Sequence, residues 1–155
     1  MGIINFQGKR TKSQQKEATP ILVSDYMSTK IITFTEDQPI EEVIETLIKH
    51  RISGGPVVND ANELIGIISE GDCIQQISES RYYNLPISKK NTVGKAMVKK
   101  VETINADMNI FDAAKQFLTS KRRRFPILKN GKLIGLISQK DVLKAAVQLK
   151  GSTWK

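Results

Sequence analysis

Apolar residues in this chain recur at helical spacing in two places, and the two places match. Ile40, Val43, Ile44, Leu47 and Ile48 stand at i, i+3, i+4, i+7 and i+8, which puts them on one face of an amphipathic helix announced by Asp37 and Pro39. Ile110, Ala113, Ala114, Phe117 and Leu118 repeat the stripe at an offset of 70. Before the first helix, Ile31 to Phe34 predicts a short strand. After each helix comes an apolar run, Pro56 to Asn59 and Phe125 to Leu128, that reads as a buried strand. Polar turns follow, Asn59-Asp60-Ala61-Asn62 and Lys129-Asn130-Gly131-Lys132; Asn130-Gly131 is the stronger hairpin signal because both residues tolerate positive φ. The return strands end at Ser69 and Ser138. A last helix closes each unit, with Cys73, Ile74 and Ile77 as its apolar face in one copy and Val142, Leu143 and Ala146 in the other.

The whole pattern is a duplication. Val23-Ser24-Asp25-Tyr26-Met27 corresponds to Val93-Gly94-Lys95-Ala96-Met97, Thr33 to Thr103, Asp37 to Asp107 and Pro56 to Pro126. One residue is then lost in a turn, and Leu64 to Asp72 aligns with Leu133 to Asp141 at an offset of 69. Each β-α-β-β-α unit of about 55 residues is too small to cover both faces of its own sheet, so an α/β (α+β) fold of two repeats packed on each other is expected. The expected organisation is a flexible basic tail at 1–20, repeat one at 21–78, a polar connector at 79–92 whose Tyr82, Tyr83 and Leu85 could dock on a surface, repeat two at 93–148, and a short tail at 149–155.

Composition narrows the class. The 155 residues are 39% hydrophobic and 26% charged, which suits one globular unit and not a disordered chain. A single cysteine cannot close an intramolecular bridge, no apolar run is long enough to span a bilayer, and Met1 to Lys12 lack a signal-like core, so the cytoplasm is the expected compartment. The net charge of +8 is uneven: residues 1–92 hold 10 basic and 12 acidic side chains, residues 93–155 hold 14 and 4. The second half faces an anion, which charge alone leaves open as a small phosphate ligand, a nucleic acid or an acidic protein.

Taken in order and in duplicate, the lead-in ending in Met, the Thr before an acidic turn and helix, the Pro56-Val57-Val58 and Pro126-Ile127-Leu128 strands and the Gly-x-x-Ser-x-x-Asp segments resemble the cystathionine beta-synthase, or CBS, domain over residues 23 to 147. The resemblance implies two repeats related by pseudo-twofold symmetry, two clefts between them, and assembly into a flat homodimer. It also implies binding of an adenosine-containing ligand, AMP, ADP or ATP, with no required cofactor and with regulation of an unknown protein partner as the usual consequence. By the same resemblance Asp72 or Asp141 accepts from the ribose hydroxyls and Ser69 or Ser138 meets a ribose or phosphate oxygen, while Ile32, Ile67 and Leu136 are candidates to lie against adenine.

The chemistry is reasonable, because an ionised carboxylate only accepts hydrogen bonds and suits a cis-diol, and a helix start favours an anion. A plainer duty is open too: Ser69-x-x-Asp72 and Ser138-x-x-Asp141 also read as capping boxes, worth about 1 kcal/mol each. Arg123 and Arg124 precede the second buried strand where the family's nucleotide binders place a phosphate-contacting base, and guanidinium groups fork onto phosphate; a solvated helix end accounts equally for cations there, and more readily for Lys121 and Arg122. At the matching place repeat one has Gly54 and Gly55, which either leave room for the ligand or make a tight turn. Thr33 and Thr103 could touch a ligand or simply favour the strand.

Other function classes have less support. His50 ends a helix and has no nucleophile beside it in sequence, Cys73 falls on the apolar stripe, and no cluster of metal ligands is present, so neither an enzyme nor a metal site is expected. Binding of nucleic acid through the basic half is disfavoured by an aromatic content of 6% and by the absence of a recognised motif. A protein-interaction module whose clefts bind nothing is the alternative to a nucleotide sensor.

Overall fold

The computed structural model describes residues 19–82 and 91–153. Tyr83 and Leu85, most of the N-terminal tail and the end of the C-terminal tail lie outside them.

Repeat one contains helix α1 (Ile40–His50), strands β1 (Gly54–Val58) and β2 (Leu64–Ser69), and helix α2 (Glu70–Tyr82). Repeat two contains strand β3 (Ile104–Asn105), helix α3 (Ile110–Ser120), strands β4 (Arg124–Lys129) and β5 (Lys132–Ser138), and helix α4 (Gln139–Thr153). The two hairpins are antiparallel and share a bulge at the same place, between Val57 and Val58 and between Ile127 and Leu128. Asn130 and Gly131 both have positive φ, 52° and 78°, as the turn chemistry requires. In the other hairpin the Asn59 side chain accepts from the Ala61 and Glu63 amides and builds the turn without a glycine.

Repeat two forms a three-stranded sheet in the order β3-β4-β5, with β3 parallel to β4. The strand expected at Ile31 to Phe34 does not form: only Phe34 bridges, in parallel, to Val57. The reason lies in what the two ends of this segment are bound to. Phe34 exchanges hydrogen bonds with repeat one, donating to the Pro56 carbonyl and accepting from the Val58 amide at 2.9 Å each. Six residues earlier, Ser28 exchanges them with Leu136 of repeat two, at 2.8 and 3.0 Å. Repeat two crosses in the same way, Val98 exchanging bonds with Ile67 at 2.8 and 2.9 Å, and there too only the far end of the segment, Ile104–Asn105, joins a sheet.

That crossing is systematic. The lead-in turn of each repeat packs into the other repeat. Val23 is wholly buried in a core made by Ile104, Ile110, Phe117, Phe125, Ile127 and Ile137. Its counterpart Val93 is buried among Phe34, Ile40, Val43, Val57 and Ile68. Backbone bonds tie each lead-in down, Val23 to Met108 and Ile110 to Ile21 on one side, Val93 to Gln38 and Ile40 to Asn91 on the other, all at 2.8–2.9 Å. Met27 lies over Gly135 and Met97 over Gly66, and a Cβ on either glycine would stand 2.6 Å from the sulfur. This close seat explains why Met and Gly recur together in both copies.

The helical stripes are wider than the core they face. Ile40, Val43, Leu47, Ile110, Ala113 and Phe117 are buried, but Ile48 is 73% exposed and Leu118 82%. On the last helices Cys73 is buried, whereas Ile74, Ile77, Leu143 and Ala146 are exposed, and Ala145 takes the buried place in α4. The expected single apolar faces of α2 and α4 therefore divide into a core side and an outer side.

Candidate functional site

The first turns of α2 and α4 carry the same construction. Asp72 Oδ2 accepts from the Ser69 amide and hydroxyl, both at 2.9 Å, and the Asp72 amide returns to Ser69 Oγ at 3.4 Å. In repeat two Asp141 Oδ2 accepts from the Ser138 amide and hydroxyl at 2.8 and 3.0 Å, with the return bond at 3.3 Å. Both are capping boxes, and both use only one carboxylate oxygen. Oδ1 of each has no hydrogen-bond partner among the described residues. Capping and ligand contact, two separate readings of the sequence, are thus compatible in one side chain.

The strand ends bring each box to a cleft between the repeats. The Asp141 cleft encloses about 260 Å³. Leu136 lines it with Ser138 and Asp141, and Ile31, Ile32 and Ile52 add apolar surface from repeat one. Two cations line it, Lys30 and Arg124. An apolar surface, an acceptor with a free lone pair at a helix N-terminus and two cations are the three things a nucleoside monophosphate asks for: a surface for the base, an acceptor for the ribose diol and counter-charge for the phosphate.

The Asp72 cleft is smaller, about 140 Å³. Ser69 and Asp72 are joined there by Ile67, but the facing wall is Lys100, Val101, Glu102 and Arg122. Glu102 accepts from Ser120 Oγ at 2.5 Å, and its other oxygen lies 3.9 Å from Arg122 Nε. Between the clefts a third cavity of about 160 Å³ sets Arg122, Arg123 and Arg124 against Gly54 and Gly55. Arg124 lines all three cavities, and its guanidinium makes no hydrogen bond or ion pair among the described residues.

Most of the residues singled out in the sequence meet here. Ile32, Gly54, Leu136, Ser138, Asp141 and Arg124 share one cleft, Ile67, Ser69 and Asp72 the other, and Arg123 the space between. Thr33 and Thr103 line none of these cavities: Thr33 is exposed, and the Thr103 carbonyl accepts from Gln116. Gly54 and Gly55 belong to strand β1, not to a turn, and a Cβ on Gly54 would meet the Ile68 carbonyl at 2.6 Å. Sequence reasoning passed over Lys30, Ile31 and Ile52, and assigned Arg122 chiefly to a solvated helix end. The signal was present, because Ile52 and Arg122 are equivalent under the repeat.

Cys73 is buried against the core, and burial, with Asp72 and Glu70 adding to it, pushes its thiol pKa up. The thiolate is disfavoured, as befits a packing residue and not a nucleophile. No helix among the described residues is long and apolar enough to cross a membrane.

Comparison with known proteins shows the family of the repeats. Residues 23–79 and 93–148 each match the CBS domain family. The chain is 30% identical over 155 residues to an uncharacterised protein, MJ1426, of Methanocaldococcus jannaschii, covering 82% of this chain and 92% of that one. A second protein of the same organism, MJ1225, is 28% identical over 99% of this chain, which spans only 55% of its length. Among solved structures, CBSX2 of Arabidopsis thaliana in complex with AMP superposes with a TM-score of 0.71 at 28% identity, covering 83% of this chain and 98% of that one.

Proposed function

The chain belongs to the CBS domain family as a tandem pair, and from that premise we propose that it is a regulatory module that binds an adenine nucleotide, AMP, ADP or ATP, between its repeats and passes occupancy to a protein partner. The observation that carries this reading is the Asp141 cleft: an unused carboxylate oxygen at a helix start, in a cavity lined also by three isoleucines, Lys30 and Arg124. The AMP complex of CBSX2 supports it from outside. The cations favour a phosphorylated ligand over bare adenosine or S-adenosylmethionine.

Thermal melting tests it. A ligand that binds only the folded chain stabilises it by about 2.7 kcal/mol at a hundredfold excess over Kd. AMP, ADP or ATP should therefore raise Tm by several degrees, and S-adenosylmethionine should not. If none of these ligands moves Tm, the reading fails. The competing reading, a protein-interaction module with empty clefts, then stands on the fact that both aspartates already have structural work as caps.

The module's outer surface supports a homodimer. Ile48, Ile74 and Ile77 stand out from α1 and α2, and Leu118, Leu143 and Val147 from α3 and α4, at 43–82% exposure. Two apolar strips, in which Leu118 and Leu143 are the repeat equivalents of Ile48 and Ile74, suit self-complementary pairing with a second copy. Leu118→Glu should leave the monomer folded and shift the chain from dimer to monomer in sedimentation velocity. A wild-type chain that sediments as a monomer at tens of micromolar would refute the dimer.

A further inference from the structure

The two clefts are built alike at the serine–aspartate pair and differ along the rest of their lining. The serine and aspartate pairs are superimposable in their bonding. Lys30 corresponds to Lys100 and Ile31 to Val101, so a cation and an aliphatic side chain recur. The next positions do not match. Where the Asp141 cleft has Ile32 and Ile52, the Asp72 cleft has Glu102 and Arg122; where the first has Gly54, the second has Arg124.

We propose that the Glu102–Arg122 pair closes the Asp72 cleft to an adenine base, so that each chain holds one adenine nucleotide, in the Asp141 cleft. The proposal rests on the nucleotide reading given above. Its physical basis is desolvation. A purine buries well against isoleucine, but to occupy the equivalent space in the other cleft it would have to strip water from a carboxylate and a guanidinium. Neither charge is idle: one Glu102 oxygen accepts from Ser120 Oγ at 2.5 Å and the other faces Arg122 Nε. Adenine could offer only its amino group to the carboxylate, one hydrogen bond in return for the water lost from both charged groups. The volumes agree, since about 140 Å³ remains in the Asp72 cleft against about 260 Å³ in the other. Half-exposed as it is, the pair adds little to the stability of the fold. What it changes is which base the wall accepts.

Arg124 reinforces the asymmetry. It lines both clefts and the cavity between them, and one guanidinium serves the phosphate of one ligand better than those of two.

Calorimetric titration of the full chain with AMP decides the matter. One AMP should bind per chain, and Asp72→Asn should leave that stoichiometry and affinity unchanged. The double variant Glu102→Ile/Arg122→Ile should bind two AMP per chain, the new site gaining at least tenfold in affinity, and adding Asp72→Asn to it should return the count to one. Two AMP bound by the wild-type chain, one AMP lost with Asp72→Asn, or a double variant that still binds one would each overturn the proposal while leaving the nucleotide reading intact. A wild type that binds none of AMP, ADP and ATP would overturn that reading itself, and this inference with it. Circular dichroism establishes that the double variant folds; if it does not, Glu102→Leu alone puts the same question.

Discussion

Asp141→Asn is expected to weaken AMP binding at least thirtyfold while costing the ligand-free fold about 0.3–1 kcal/mol. The asparagine carbonyl can take over the two bonds that Asp141 Oδ2 receives from Ser138, so the cap survives. Its amide nitrogen then replaces Oδ1, and a donor faces the ribose hydroxyls where an acceptor stood. Hydrogen bonds to a charged partner contribute about 1.5–3 kcal/mol each, and about 2 kcal/mol is a factor of thirty. Titration calorimetry reads the affinity and thermal melting the fold. Unchanged affinity would mean that Asp141 only caps α4. A collapse of Tm comparable to a core mutation would mean that the carboxylate serves the fold in some way the cap does not explain.

Phe125→Ala should be the most damaging single change to stability, costing about 3–5 kcal/mol of a total of about 5–15 for a domain of this kind. Phe125 is 1% exposed in β4, the middle strand of the three-stranded sheet. Its ring lies 4.7 Å from that of Phe117 at an angle of 51°, a tilted contact that adds to plain burial. The measurement is urea denaturation, where the midpoint should fall with little change of slope. Phe111→Ala is the control, since that ring is largely exposed on α3 and its loss should cost less than about 1 kcal/mol. Similar costs for the two would place the core elsewhere.

Local features were readable in the sequence, and features that depend on two distant segments were less so. The Asn130-Gly131 turn and the two serine–aspartate caps follow from chemistry within a few residues, and the duplication doubled the signal of the caps. Ile31 to Phe34 misled because strand propensity cannot see that Ser28 and Phe34 are held by different sheets. Ile48 and Leu118 misled differently: an amphipathic stripe marks apolar positions without saying whether a core or another surface covers them. Thr33 and Thr103 fit the strand pattern but line neither cleft. The contrast between Ile32 and Glu102 was present in the alignment of the repeats, yet its meaning needed Arg122 and Ser120 brought beside Glu102 in space.

The crossed lead-ins make the two repeats one folding unit. A fragment ending before Val93 would leave an empty seat among Phe34, Val43 and Ile68, and one beginning after Met27 would leave a matching hole beside Phe125. Two copies of a single repeat could complete each other only by trading lead-ins, so a lone repeat of this kind should exist as a swapped pair or not at all. In the intact chain the trade is made internally, across contacts such as Val23 with Met108 that are distant in sequence and slow to form. Unfolding should then be a single transition, with no half-folded chain in equilibrium. Whatever occupies one cleft therefore steadies the far repeat as much as its own.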